Sequence, residues 1–467
     1  GAGVIGIPRA LMVFHQQFPY WRTFFETLGF RVALSRPTSR ELVARSLERL
    51  QAETCFPNEV MFGHVHDLLD RGAHFLFLPS VINAPAGGEN PTKNYNCPWI
   101  QTVPFMVRAS LTGTGHEDRL LIPVLHMRYP RLMRRQLSLF MKKRFGVSRA
   151  ATAGAVREAE RAQERFRSAV EKRGREVLDS LPPGGTSPGK KVLVILGRPY
   201  NTQDPELNLH LAEKLRGMDV LPVPMDFLPL SGEDVYRDYP MMYWPNGRNI
   251  MAACRIVARD DRLHAVYLSN FRCGPDSFLT HFAAQEMKGK PFLQLEMDEH
   301  SADAGLVTRC EAYLESLRSR EALARGSGMQ PAGEERSGKP RPVKAPSAGR
   351  TMYVPYMSDH VRMLAAASRH CGMKAEVLPP VDEKAVELGR RHTSSRECFP
   401  MICTTGSFLQ KILEPGFQPE SASFFMPDHN GPCRFGQYNR LQRIIFDRLG
   451  YGDVAIVSPS NDDAYAE

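Results

Sequence analysis

The sequence predicts an α/β protein: tandem Rossmann-like lobes with parallel sheets, an internal duplication and a helical insertion. Three observations predict it. Short apolar runs alternate with amphipathic helical runs along most of the 467 residues, which is the pattern of βαβ units. A cysteine context occurs twice, as Glu53-Thr-Cys55-Phe-Pro57 and Arg396-Glu-Cys398-Phe-Pro400, each time closing a polar helical segment. Residues 129–181 carry an almost unbroken, highly charged helical signal.

In chain order, the first lobe (1–128) opens with a strand at Val4–Ala10 and an aromatic-rich helix at Phe14–Leu28. A strand at Phe30–Ser35 follows, then a helix at Ser39–Gln51 with Ser39 as N-cap and Glu41 in its first turn. After Cys55 come a helix at Asn58–Arg71, a buried strand at His74–Pro79, a Gly/Pro/Asn-rich loop at Ser80–Asn96 ending at Cys97, and a strand at Arg119–Leu125. The insertion and linker (129–190) hold two helices broken near Gly146–Ser148, the second running over Thr152–Leu181, before Pro182-Pro-Gly-Gly-Thr-Ser-Pro-Gly.

The second lobe (191–317) has strands at Val192–Leu196, Val220–Pro224, His264–Leu268 and Phe292–Leu295, with Cys273 directly after the third. Residues 318–350 are rich in Arg, Gly, Ser and Pro and read as a disordered linker. The third lobe (351–467) repeats the first, with strands at Met352–Pro355, Ala375–Leu378, Ser423–Met426 and Val454–Val457, and with Cys398 and Cys433.

The two copies keep a near-constant offset. It is 343 between Cys55 and Cys398, 348 between Val4 and Met352, and 349 between His74 and Ser423. It is 336 between Cys97 and Cys433, and 335 between Arg119 and Val454. Five landmarks in step indicate duplication. The counterpart of Cys273 would fall near 609, outside the sequence, so the second copy reads as incomplete.

Composition bounds the function. The net charge is +9, concentrated in Arg-rich helices such as Arg131-Leu-Met-Arg134-Arg135. A solvated helix face explains most of it, and a basic surface also suits an acidic protein or a CoA-type phosphate. No nucleic-acid-reading module is visible. No apolar run approaches the ~18–20 residues of a membrane helix, and the opening Gly-Ala-Gly-Val-Ile-Gly-Ile-Pro reads as a strand rather than a leader, so a cytoplasmic protein that contacts no membrane is expected. Nine cysteines, an odd number, argue for thiols or metal sites over a disulfide framework.

Cys55, Cys97 and Cys273 lie at loops expected on the carboxyl ends of strands, where ligand crevices of open α/β sheets form. Each is followed by Pro or Gly close by, which holds the loop open or lets backbone approach an inorganic core. Thiolates are the standard ligands of iron–sulfur clusters; the bland alternative is a buried structural cysteine. Cys254, Cys310 and Cys371 read as core cysteines and Cys403 as a weaker ligand candidate, with Phe62 near its place in the first copy. The turn Gly197-Arg198-Pro-Tyr-Asn201 follows a strand and suits an anion or cofactor, but it is neither GxGxxG nor a P-loop. Asp298-Glu-His300 with Asp303 reads as acid/base chemistry or a helix cap, and His64 and His66, two apart, form no chelate.

Ile5-Gly-Ile-Pro-Arg9, Cys55-Phe-Pro, Tyr95-Asn-Cys97-Pro98, Gly197-Arg-Pro-Tyr-Asn201, Ser269-Asn-Phe-Arg-Cys273-Gly-Pro-Asp-Ser277 and Asp298-Glu-His-Ser-Ala-Asp-Ala-Gly305 resemble one family. It is the domain fused to ATP-dependent activases of 2-hydroxyacyl-CoA dehydratases, with a more distant likeness to the dehydratase subunits and double-cubane cluster proteins. The resemblance spans nearly the whole chain apart from 129–190 and 318–350. It implies an iron–sulfur cluster, either 4Fe-4S or a double-cubane 8Fe-9S, in an anaerobic system. Cys55, Cys97 and Cys273 would hold one cubane, and Cys398 and Cys433 the other. Gly197, Arg198, Asn201 and Gly274 would contact the cofactor. The implied partner is an ATP-dependent activase with its own cluster; a homodimer is a separate expectation. The sequence departs from the fused members in lacking an ATPase segment and a sixth cysteine, a place that Cys403, a missing segment or no residue would take.

The resulting expectation is an electron-transfer or reductase component that accepts low-potential electrons and reduces a small molecule or an acyl-CoA-type substrate. The alternatives are a scaffold or regulator of such a system, with a structural cluster or none, and a metal-free α/β protein binding CoA or a nucleotide sugar through Gly197–Asn201.

Overall fold

The computed structural model describes residues 3–85, 94–182, 191–327 and 349–460. The chain forms two compact units. One comprises Gly1–Asp234, Arg248–Cys273 and Glu286–Ser337; the other comprises Val235–Gly247, Gly274–Gln285 and Gly338–Glu467. The first two predicted lobes and the insertion therefore share one unit, and the third lobe takes two short segments from the middle of the chain.

The first unit holds β1 (Val4–Ile7), β2 (Arg31–Leu34), β3 (Phe75–Phe77), β4 (Ser80–Asn83), β5 (Leu120–Leu121), β6 (Val124–His126), β7 (Lys191–Gly197), β8 (Val220–Pro224), β9 (Leu263–Asn270) and β10 (Phe292–Met297). They pair in parallel as β2-β1-β3-β5, as β8-β7-β9-β10 and as the short ribbon β4-β6. The second unit holds β11 (Thr351–Val354), β12 (Lys374–Val377), β13 (Ala422–Phe425) and β14 (Ala455–Val457), parallel in the order β12-β11-β13-β14. Every four-stranded sheet thus runs second-first-third-fourth. That order opens a crevice at the carboxyl ends of its first and third strands, where the winding direction reverses. The duplication seen in sequence involves two lobes; the same topology is used three times.

Several expected elements shift. Phe14–Leu28 divides into helices Leu11–His15 and Phe18–Thr27, with Pro19 at the start of the second. The loop Ser80–Asn96 contains a strand, β4, and Arg119–Leu125 is two strands in different sheets, separated at Pro123, which has no N–H to donate. Residues 318–327, expected as linker, continue helix Asp303–Ser327, whose start buries Leu306, Cys310, Tyr313, Leu314 and Leu317; the remainder of that stretch to 348 lies outside the described residues.

The insertion is a pair of helices, Pro130–Phe145 and Arg149–Asp179. Gly146 ends the first in the left-handed region and Ser148 caps the second, accepting a hydrogen bond from the Ala151 N–H at 3.2 Å. Met133, Leu137, Met141, Ala155, Val156 and Ala159 pack into one core with Trp21, Phe24, Phe25 and Phe77 of the first lobe.

The duplication is most regular between residues 18 and 70. An ungapped shift of 343 superposes helix Phe18–Thr27 on Val361–His370, β2 on β12, the N-caps Ser39 and Asp382, and Cys55 on Cys398. It also pairs Gly63 with Gly406. A Cβ on Gly63 would strike Leu42 and Ser46; a Cβ on Gly406 would strike Ala385 and approach Gly389, the same two positions shifted by 343. Each glycine lets two helices cross at backbone contact. This register sets Val60, not Phe62, opposite Cys403.

Candidate functional site

Four of the five predicted ligands stand where a helix begins. Cys55, Cys97 and Cys398 are the N-caps of Phe56–Asp70, Pro98–Ser110 and Phe399–Ile412, and Cys433 caps the 3-10 turn Arg434–Gln437. All four have extended backbone, with ψ between 139° and 156°. In the three long helices a proline occupies the first turn, where its missing N–H costs nothing and its fixed φ suits the helix. In those three helices the cysteine stands at the positive end of the helix dipole.

In the first unit, Cys273 sits in the turn after β9 and its N–H donates to the Asn270 carbonyl at 3.1 Å. The preceding Arg272 is held in the left-handed region at φ 63°, a strained position for a non-glycine residue. Its guanidinium meets Glu53 at 2.7 Å and the buried Glu59 at 3.7 Å. Glu59 accepts the Thr54 N–H at 2.7 Å, which ties the segment entering Cys55 to the helix leaving it. Burial raises the Glu59 carboxyl, opposed by Thr54 and Arg272.

The three thiols share one electrostatic neighbourhood. Burial pushes the Tyr200 hydroxyl far above its ordinary range; Arg198 opposes this, and Cys97, Cys273 and Cys55 all add to it. Cys55 is itself pushed up to about 12 by burial and by Cys97, against the Asn58 N–H and Arg198. Tyr200 packs into the apolar cluster that contains Met61 and Ile100, one from each of the helices that Cys55 and Cys97 begin. Gly197 is required at the end of β7: its φ is 153°, and a Cβ would lie 2.6 Å from the Leu268 carbonyl oxygen of β9. Arg198 and Asn201 follow it and are both buried.

In the second unit, Cys398 Sγ lies 2.6 Å from the Tyr438 hydroxyl, whose ring stacks on Phe278 at 6.0 Å. Burial and then Cys398 push the Tyr438 hydroxyl well above its ordinary range, and Cys433 adds to this. Tyr243 donates its hydroxyl hydrogen bond to the Cys433 carbonyl. Directly before Cys398, buried Glu397 pairs with His281 Nε2 at 2.6 Å and accepts the Ser394 hydroxyl at 2.9 Å. Burial acts to raise the Glu397 carboxyl, but His281, Ser394 and backbone N–H groups outweigh it and hold it below its ordinary range. Gly274 faces the Arg434 side chain, whose Nη1 donates to Ser277 Oγ at 3.3 Å.

Other candidates resolve as structural. His64 is fully buried between Ser35 Oγ at 2.8 Å and Thr38 Oγ1 at 3.2 Å, while Thr38 donates to Asp204 at 2.5 Å. Asp298 accepts the His300 N–H at 3.0 Å and the Ser301 hydroxyl at 2.9 Å, closing a turn before the helix that begins at Asp303. Cys254 and Cys310 are core residues. Cys371, expected in the core, is exposed: it caps the carboxyl end of helix Val361–His370, one residue beyond the face that packs on the sheet. Cys403 is half-buried, with its thiol raised by burial.

Sequence reasoning missed Asn58, Glu59, Arg272, His281, Glu397 and Tyr438. Glu397 adjoins the repeated cysteine and Tyr438 lies five residues past Cys433, so proximity was a signal. Nothing local pairs His281 with a carboxylate 116 residues away. Among the described residues no three His, Cys, Asp or Glu side chains are gathered as ligands of one metal ion, and no helix is long and apolar enough to cross a membrane.

Residues 4–228 match the family described as CoA enzyme activase uncharacterised domain (DUF2229). The match takes in Cys55, Cys97, Gly197, Arg198 and Asn201; Cys273, Gly274, Cys398 and Cys433 lie beyond it. No curated protein matches the chain. Residues 4–228, just under half of the chain, are thus similar to the activase-associated domain family that the sequence motifs resemble.

Proposed function

We propose that the chain is an iron–sulfur component of an activase system, with Cys55, Cys97 and Cys273 as ligands of its principal cluster. Cys398 and Cys433 are the thiols available for a second one. The observation that carries the reading is that Arg272, next to Cys273, pairs with Glu53 and Glu59 on either side of Cys55, while Cys97 packs on the apolar cluster of Met61, Ile100 and Tyr200. The donor set supports it: three soft thiols suit iron–sulfur chemistry over a hard cation. A single zinc-like ion needs its ligands within ~2.3 Å of one point, whereas a polynuclear core spreads its thiolates over several corners.

A bound cluster would store and pass single electrons at a potential set by charge, hydrogen bonds and exposure. The chain's own part is to make ligands of reluctant thiols. Burial pushes the Cys55 thiol up, so a bound cluster would have to displace its proton. Arg198 and the helix amino terminus lower the cost of that release. Arg272 with Glu53 and Glu59 fixes the two loops that carry Cys55 and Cys273. The activase would be the electron donor, and the chain's +9 charge suits an acidic partner surface.

Anaerobic purification followed by iron and acid-labile sulfide analysis tests the reading. The expected result is both elements in the wild type, with most of the iron lost in Cys55→Ser and Cys273→Ser. Protein without iron or sulfide would sink it, and cluster-loaded protein that activase plus ATP cannot reduce would leave the scaffold reading standing.

A further inference from the structure

Helix Val361–His370 carries apolar residues on more of its surface than its own lobe uses. Val361, Ala365 and Ser368 are buried, the first two in one core with Met352, Val354 and Ala375. Met363, Leu364, Ala367 and Cys371 form a second stripe at helical spacing, and Met373 follows just before β12. All five are exposed, Met363 by 64%, Leu364 by 38% and Met373 by 47%. A surface helix needs one apolar stripe, toward its core; a second one, open to water, marks an interaction surface.

The duplication shows what covers such a stripe. Under the shift of 343 the five residues stand where the first lobe has Tyr20, Trp21, Phe24, Leu28 and Phe30. Tyr20, Trp21, Phe24 and Phe30 are at most 5% exposed, because helices Pro130–Phe145 and Arg149–Asp179 share a core with them, with Phe145 stacked edge-on to Phe30 at 4.8 Å. Among the described residues the third lobe has no counterpart of that helix pair. The repeated frame therefore specifies a cover made of apolar helix laid along the stripe. Methionine, leucine and alanine in place of four aromatic rings make the third-lobe face shallower and more adaptable.

Charge decides which helix fits. Helix Val361–His370 carries Arg362, Arg369 and His370 and no acidic residue, and Lys374 follows it. The acids flanking it are Asp359, an exposed partner of Arg362 at 4.0 Å, and Glu376 on β12. In the first lobe Arg22 is balanced by Glu26 at 2.9 Å, and the cover Pro130–Phe145 is basic without an acidic residue. The same cover on the third lobe would set like charges against Arg362, Arg369 and Lys374, and so would a second copy of the third-lobe helix. We infer that Met363, Leu364, Ala367 and Met373 form a docking surface for an acidic amphipathic helix of another protein, which covers the third lobe as the insertion covers the first. The inference is independent of the cluster reading.

The experiment uses the full chain and two synthetic peptides. One has the sequence of residues 130–145 with every Arg and Lys replaced by Glu, which keeps the spacing of Met133, Leu137 and Met141; the other keeps the natural basic sequence. Both are stapled, so that they are equally helical. Fluorescence anisotropy follows their binding to the wild type, Met363→Gln and Leu364→Gln, which remove apolar contact without adding charge. Sedimentation equilibrium gives the mass of each protein. The expected result is saturable binding of the glutamate peptide to the wild type, weakened about tenfold in either variant, with the basic peptide at least about tenfold weaker and all masses equal. Both substitutions are at exposed positions, so unfolding midpoints should stay near that of the wild type; if Leu364→Gln does not fold, Met363→Gln carries the comparison. No saturable binding to the wild type, equal binding to wild type and variants, or equal binding of the two peptides would overturn the inference. Self-association of the wild type that Leu364→Gln abolishes would also overturn it, by making a second copy the occupant.

Discussion

The first and third lobes share a frame and differ in what lies on it. From residue 18 to 70 the shift of 343 is ungapped, and it carries over the helix caps, the two middle helices, the crossing glycine and the cysteine N-cap. Yet helix Phe18–Thr27 buries Tyr20, Trp21, Phe24 and Phe25, whereas the matching positions Met363 and Leu364 are 64% and 38% exposed. The cause is the insertion: its two helices pack on the first lobe, and the third lobe has no such cover among the described residues. The thiols differ in the same way. Cys55 is buried beside unmatched Asn58, while half-buried Cys398 is already bonded to Tyr438 and has Met401 beside it. Backbone-level requirements were kept through the duplication; side-chain chemistry was not.

The sharpest way to break this comparison is to cut the matched pair of helix side chains. Trp21→Ala should cost the first unit about 4 kcal/mol through lost burial and a cavity. Leu364→Ala, at the same place in the third lobe, should change stability by no more than about 0.5 kcal/mol. Denaturant unfolding of both variants reads the contrast, and equal losses would mean that the third-lobe face is covered.

The shared frame should behave the opposite way. Gly406→Ala is expected to cost about 3 kcal/mol because the added carbon meets backbone atoms, and Gly63→Ala somewhat less because part of its clash is with the movable Ser46 hydroxyl. Unfolding midpoints that left either variant at wild-type stability would contradict the close helix crossing.

A pH experiment separates the lobes again. Asp67 is buried; burial acts to raise its carboxyl, but the Arg36 N–H at 2.8 Å and guanidinium at 2.6 Å outweigh this and hold it below the ordinary range. A carboxyl lowered on folding adds stability that is complete above its ordinary value of about 3.8 and drains away as pH falls below it. Asp67→Asn should therefore lower stability at neutral pH by about 2 kcal/mol and flatten the acid limb of the first unit's unfolding curve. The equivalent position is Gln410, which cannot titrate and only donates to the exposed Asp382 carboxyl at 3.1 Å, so Gln410→Ala should change the acid limb far less than Asp67→Asn.

The smallest expected effects are at the caps. Ser39 accepts the Leu42 N–H at 3.3 Å and Asp382 the Ala385 N–H at 2.8 Å. Ser39→Ala should cost about 1 kcal/mol, and Asp382→Ala should also lower stability by removing a shorter, charged hydrogen bond.

Much of this was legible without coordinates where the signal is local. Apolar runs placed β8 at Val220–Pro224 without error and most other strands to within a few residues, because a buried parallel strand must be apolar on both faces; β4 was read as loop, and β5 and β6 as one strand. Ser39 was recognised as an N-cap because its chemistry is confined to four residues. The second unit was not legible. It draws Val235–Gly247 and Gly274–Gln285 out of the middle of the chain, and no composition change marks those cuts.

The sequence by itself determined the α/β class, the duplication and the five cysteines worth following, because strand patterning, repeat spacing and cysteine context are properties of short windows. Tertiary structure alone decided which side chains share an environment. Tyr200 under the influence of three thiols, Arg272 between Glu53 and Glu59, and His281 on Glu397 all depend on loops brought to one place by the winding of a parallel sheet. Residues separated by tens to hundreds of positions leave no pattern in sequence for such encounters, since burial and partnership are set by the packing of whole elements rather than by neighbours along the chain.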